Sequence, residues 1–174
     1  MEDAVDFASQ EYLIVLALLL LARGMDFLST WVATPNLVLE ANPLAKRLGW
    51  KWGGALNLAM CFLAAFFPLA AIVVITTSLL VAARNFKSAW TMRTMGEDRY
   101  RFWMSDVLEQ SSLRVFLLCL AGETVLTGVV GGAVMFFSTD RPVLLAIGLG
   151  IVAYALAVAF YTLLSVWRRW RNIG

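Results

Sequence analysis

Four long apolar blocks, residues 12–33, 53–83, 115–137 and 142–166, leave little freedom over what this chain can fold into. A helix needs about 20 apolar residues to cross a bilayer core, and each block meets that length. Backbone polar groups in hydrocarbon must be satisfied within the segment, so the blocks are predicted to be helices. The ten-residue alternation of a membrane barrel is absent. Composition agrees, with 61% of the 174 residues hydrophobic and 15% charged, against about 45–50% and 25% in soluble domains. The expected fold is all-α and polytopic: one membrane domain over residues 1–174, with four transmembrane helices. The segment 84–112 is the only long polar connection.

Glu2, Asp3, Asp6 and Glu11 precede the first block without a Lys or Arg. A secretory signal needs a basic start and a small-residue cleavage site, so the first span is expected to be retained. Cys61 and Cys119 fall inside spans two and three and read as small packing residues. No disulfide framework or zinc spacing exists, and the absence of His removes the commonest metal ligand and general base. A net charge of +2 is too small to argue for nucleic acid.

With four spans, both termini and the 84–112 connection share one side. That side carries Arg84, Lys87, Arg93, Arg99, Arg101, Arg168, Arg169 and Arg171; the other carries Lys46, Arg47, Lys51 and Arg141. Basic residues in short loops stay cytoplasmic, so both termini are predicted inside. The tryptophans, Trp31, Trp50, Trp52, Trp90, Trp103, Trp167 and Trp170, flank the spans as interface anchors and are expected to mark both water boundaries. Within the connection, Tyr100, Trp103, Met104, Val107 and Leu108 fall on one helical face, which predicts an amphipathic helix between spans two and three. Such a helix suits the leaflet boundary or a docking partner.

The few polar residues inside the spans matter most, because a charge near a helix centre costs roughly 2.5–3.5 kcal/mol unless it finds a partner or a wet cavity. Arg23, Asp26 and Thr30 share one face of the first helix, where Arg23 and Asp26 can pair. Such a pair serves either as glue between spans or as a cavity lining. Glu123 is expected either to stay protonated and donate to Thr127 at i+4 or to pair with Arg23 across helices, which would bring it to the cavity with Asp26. Asn42 before Pro43 suits the cap of a short helix over 44–50; Glu40 and Asn42 are alternatively oxygen donors at the mouth of a site. Span two carries a stripe containing Asn57, Cys61, Ala64, Pro68 and Ala71, with a kink expected at Pro68. Small-residue stripes, Gly128 with Gly132 and Ala146 through Ala157, allow close helix approach within the bundle or between protomers.

Asp26, Thr30 and the run Glu40-Ala41-Asn42-Pro43 resemble an uncharacterised class of small prokaryotic integral membrane proteins. That class pairs Asp-x-x-x-Thr on its first span with Glu-x-Asn-Pro in the following connection. The resemblance covers roughly the first third of the chain. It implies that Asp26, Thr30, Glu40, Asn42 and Pro43 act together, in a prokaryotic plasma membrane. Where the class often places a Lys on span two, this chain has Asn57. No activity comes with the resemblance.

Three functions compete. An assembly or accessory subunit, with polar pairs for register and 84–112 for docking to a membrane partner or second copy, needs the fewest unobserved features and is expected first. Proton or cation transport would use Asp26 and Glu123 in an oligomer. An Mg²⁺-dependent lipid-headgroup enzyme would need Asp26, Glu40, Asn42 and Glu123 gathered round one ion. No resident cofactor is otherwise expected.

Overall fold

A computed structural model of the chain describes residues 4–171, with side chains described through Arg168. The described residues form six helices: α1 (Gln10–Ala33), α2 (Pro43–Ala64), α3 (Pro68–Met95), α4 (Glu97–Gln110), α5 (Leu113–Phe136) and α6 (Pro142–Arg171). Four of them, α1, α3, α5 and α6, are long and apolar enough to cross a membrane. Each helix begins where its sequence supplies a start. The Ser9 hydroxyl accepts from the Tyr12 N–H at the head of α1, and Asn42 accepts from the Leu44 N–H at the head of α2. Pro43 and Pro68 open α2 and α3 at the position where a missing N–H is harmless.

The second apolar block divides instead of kinking. Ala65 ends α2, Phe67 is non-helical, and Pro68 starts a new helix in the opposite direction. Helix α2 runs antiparallel along the whole of α1. Its Trp50 donates to the Pro35 carbonyl, its Asn57 meets Arg23, and its Phe62 carbonyl accepts from the Tyr12 hydroxyl. Helix α3 then runs parallel to α1: Tyr12 packs on Phe66 just before it, Arg23 reaches Ser78, and Thr34 reaches Glu97 just beyond it. Thus α2 lies alongside α1 from one end to the other, with Lys46, Arg47 and Lys51 crowding its first turns.

Helices α1, α3, α6 and α5 pack in a row, with α2 laid mainly on α1. Gly131 of α5 touches Gly148 of α6 backbone to backbone, and Gly150 of α6 sits on Thr76 of α3. The outward-facing Gly128 and Gly132, by contrast, meet nothing. The close approach predicted for that pair belongs to Gly131 and Gly148. The short 137–141 turn makes α5 and α6 antiparallel, and the Arg84–Glu123 pair fixes α5 as antiparallel to α3.

Running directions therefore place the first and last described residues at opposite ends of the bundle. Helix α2 lies outside the four apolar, span-length helices, yet it reverses the chain between α1 and α3. Residues are sorted sharply by end. Lys46, Arg47 and Lys51 at the start of α2, Arg84, Lys87 and Arg93 on the later half of α3, Arg99 and Arg101 on α4, Arg114 at the head of α5, and Arg168, Arg169 and Arg171 on the last turns of α6 lie in one half. Among the described Lys and Arg residues only Arg141 lies at the other end, next to Asp140 in the chain, and Asp6 and Glu11 at the start of the fold belong to that same end.

The tryptophans follow the cations. Trp31, Trp50, Trp52, Trp90, Trp103 and Trp167 all lie toward the cationic end of the bundle. Trp170 occupies the last turns of α6, and its side chain lies outside the described residues. The opposite end is built from phenylalanine and tyrosine: Phe7, Tyr12 and Phe66 form one ring cluster, and Phe136 packs edge-on to Phe137. Apolar side chains such as Leu118, Leu126 and Val129 on α5 are widely exposed, as surfaces facing a bilayer would be.

Candidate functional site

The charged face of α1 turns inward and meets α2 and α3. Arg23 donates from Nε to Asn57 Oδ1 at 2.8 Å, and from Nη1 to Asp26 Oδ2 at 2.9 Å and Ser78 Oγ at 3.1 Å. Its Nη2 also bonds to Asn57 Oδ1. The Asn57 amide donates to the Gly53 carbonyl at 2.8 Å, so the acceptor oxygen is held toward the guanidinium. A turn higher, Asn85 of α3 donates to Ser29 Oγ and Thr30 Oγ1 of α1 at 3.2 and 3.3 Å. These bonds replace water for groups that hydrocarbon would otherwise leave unsatisfied.

Above the Arg23 network lies a cavity of about 530 Å³, bounded by α1, α2, α3, α6 and the 34–42 connection. Asp26, Thr30, Glu40, Asn42 and Asn57 all line it, together with Arg23. The cavity also takes residues that the sequence did not single out as site members: Arg84, Asn85 and Ser88 from α3, and Tyr161, Thr162 and Ser165 from α6. Trp50 is part of this wall, packed edge-on to Phe27 with ring centroids 5.9 Å apart. Its indole is spent on the Pro35 carbonyl, so it is a wall residue as well as a boundary tryptophan.

Two backbone conformations shape the cavity. Gly49 adopts φ 65°, ψ −172°, a region essentially reserved for glycine, which breaks α2 and swings residues 43–48 over the cavity. Leu37 is left-handed at φ 57°, uncommon for a side-chain-bearing residue, and is held there by burial and a bond to the Thr34 carbonyl. Asn42 both caps α2 and lines the cavity, so the two readings of this residue coexist.

Glu40 accepts the Asn42 N–H at 2.7 Å. Burial pushes its carboxyl up, while N–H groups of Asn42 and Ala41 and the charge of Lys46 partly oppose this. Lys46 itself is bonded to the Val38 carbonyl, and Glu40 forms no ion pair among the described residues.

Glu97, at the head of α4, latches the connection. It accepts from the Thr34 hydroxyl at 2.5 Å, the Asn36 N–H at 3.0 Å and the Asn36 amide at 2.9 Å. Burial pushes this carboxyl up, but the hydrogen bonds outweigh it and hold Glu97 below the usual carboxylate range.

Glu123 does not join the cluster. It pairs with Arg84, with both side chains substantially exposed, and neither it nor Thr127 lines the cavity. The reason is topological, because α5 packs on α6 at the end of the row and contributes nothing to the cavity lining. The four oxygen donors considered for Mg²⁺ are therefore not gathered, and no group of three acidic or sulfur ligands occurs among the described residues. A relay from Asp26 to Glu123 would have to cross two ion pairs.

Comparison with known proteins finds no matching family model, curated protein or solved structure. The chemistry of the cavity must speak for itself. It combines an arginine with four of its five donors engaged, two carboxylates, a second arginine on α3 and several hydroxyls within a largely aliphatic lining. Asp26 is paired with Arg23, and Glu40 accepts from the Asn42 N–H.

Proposed function

We propose that the protein is a non-catalytic accessory subunit of a prokaryotic plasma membrane whose chamber receives the polar head of an amphiphilic membrane molecule. One observation carries the reading: Asp26, Thr30, Glu40 and Asn42, from two separate parts of the chain, converge on a single cavity of about 530 Å³. That volume falls within the roughly 300–1,000 Å³ of pockets that hold small molecules. Helices α2 and α6 both line the chamber yet scarcely touch each other, which leaves a lateral gap for an aliphatic tail.

Orientation belongs to the same proposal. The cationic, tryptophan-rich end lies in the cytoplasm and the N-terminus outside, because Lys and Arg are retained on the cytoplasmic side. Helix α4 rests in the cytoplasmic headgroup layer, with Phe102 63% and Trp103 44% exposed beside Arg99 and Arg101. The apolar outer faces of α2 and α5 are left for lipid, a membrane partner or a second copy.

Mass spectrometry of lipid retained by the purified protein tests the proposal. An Ala157→Phe variant, which fills the chamber from α6, should lose most of the lipid that the wild type keeps through gentle detergent exchange. Equal retention by both would remove the chamber from any binding role.

A further inference from the structure

The chamber is electrically divided. Asp26 and Glu40 stand on α1 and the 34–42 connection, within electrostatic reach of each other, whereas Arg84 enters from α3. Arg23 spends four of its five donors on Asn57, Asp26 and Ser78, which leaves a single Nη2 N–H for a ligand. It pairs with Asp26, whereas Glu40 forms no ion pair among the described residues and is held by backbone N–H groups, with the charge of Lys46 acting on it from outside bonding distance. Arg84 spends Nη1 on Glu123, and a guanidinium carries five donors. Its remaining donors share their wall with Ser88, and Tyr161 and Thr162 add hydroxyls from α6.

We infer that the chamber selects a zwitterionic phospholipid bearing a primary ammonium, with the ammonium at Glu40 and Asp26 and the phosphodiester at Arg84. This rests on the chamber reading above and narrows its ligand. A primary ammonium offers three donors to the two carboxylates. A quaternary ammonium offers none, and a glycerol head offers no positive charge. Charge-assisted bonds of this kind are about twice as strong as neutral ones. Arginine is suited to the phosphodiester because its planar fork matches paired phosphate oxygens. An anionic head brings no cation to Glu40, so the same residue that attracts the ammonium disfavours that competitor.

The test is competitive retention from nanodiscs containing equal parts of phosphatidylethanolamine, phosphatidylcholine and phosphatidylglycerol, read by native mass spectrometry. The wild-type protein should retain phosphatidylethanolamine about tenfold over either competitor. Glu40→Gln keeps an acceptor for the Asn42 N–H, so it preserves the loop while reducing this preference to within about twofold. Arg84→Gln should lower retention of all three lipids without changing their ratio. Indiscriminate retention by the wild type, or an unchanged ratio in Glu40→Gln, overturns the ammonium inference but leaves the chamber as a lipid site. Absence of any retained lipid overturns both.

Discussion

Replacing Arg23 by Leu should damage the fold more than its removal together with Asp26. The substitution deletes four hydrogen bonds and leaves the Asp26 carboxylate, Asn57 Oδ1 and Ser78 facing a gap. Breaking a buried ion pair costs about 3–5 kcal/mol. The two side chains retain 29% and 16% of their surface, so residual solvation places the loss near the lower limit, at about 3 kcal/mol. Adding Asp26→Leu removes the stranded charge. It does not repair Asn57, whose orphaned oxygen continues to cost about 1–2 kcal/mol. The double variant should therefore recover roughly half of the loss, and Asn57→Leu should recover most of the remainder. Reversible unfolding in mixed micelles, followed by tryptophan fluorescence, supplies the three free energies. If Arg23→Leu and the double variant are equally stable, the ion pair is not what holds α1, α2 and α3 in register.

Other outcomes follow from the same geometry. A methyl group at Gly148 would come 2.8 Å from the Gly131 carbonyl, and one at Gly150 would come 2.6 Å from Thr76 Cβ, whereas Gly128 and Gly132 face open space. Gly148→Ala and Gly150→Ala should cost about 1–3 kcal/mol in the same unfolding assay, with Gly128→Ala and Gly132→Ala close to neutral. The lowered pKa of Glu97 means that its contribution is present above the unfolded carboxyl value and is lost as pH falls through the folded one. Glu97→Gln should therefore melt below wild type at neutral pH, and the gap should close as the solution is acidified past about pH 4. Glu40 has the opposite sign, because its raised pKa means stability present at low pH and lost as pH rises through the folded value. Glu40→Gln should melt no lower than wild type at neutral pH, and a lower melting point would show that the carboxylate stabilises the loop.

The apolar blocks made the helical class legible, and the spacing of Arg23 with Asp26 made their pairing legible. What escaped was the reversal at Phe67. The block 53–83 has 31 residues, which as one helix would measure about 46 Å, well beyond a core of about 30 Å. That excess, together with Pro68, was the available signal for a second passage. Starting α3 at Pro68 also places Ser78, Asn85, Ser88 and Met92 at heptad-like spacing, a polar-edged stripe that identifies the chamber wall. On α6 the small-residue stripe drew attention away from Tyr161, Thr162 and Ser165 one turn further along. Glu123 was legible as a charge needing a partner, but its choice of Arg84 depends on which helices lie side by side. No local pattern encodes that order. The same is true of the tryptophans, whose gathering at one end follows from the direction in which α2 runs.

The orientation proposed for the chamber rests on α2 returning through the membrane between α1 and α3. Epitopes placed at the N- and C-termini, probed with protease in right-side-out and inverted membrane vesicles, test it directly. The N-terminal epitope should be cut only in right-side-out vesicles and the C-terminal epitope only in inverted ones. Cleavage of both epitopes in the same preparation, with neither cut in the other, would put the termini on one side and contradict the arrangement.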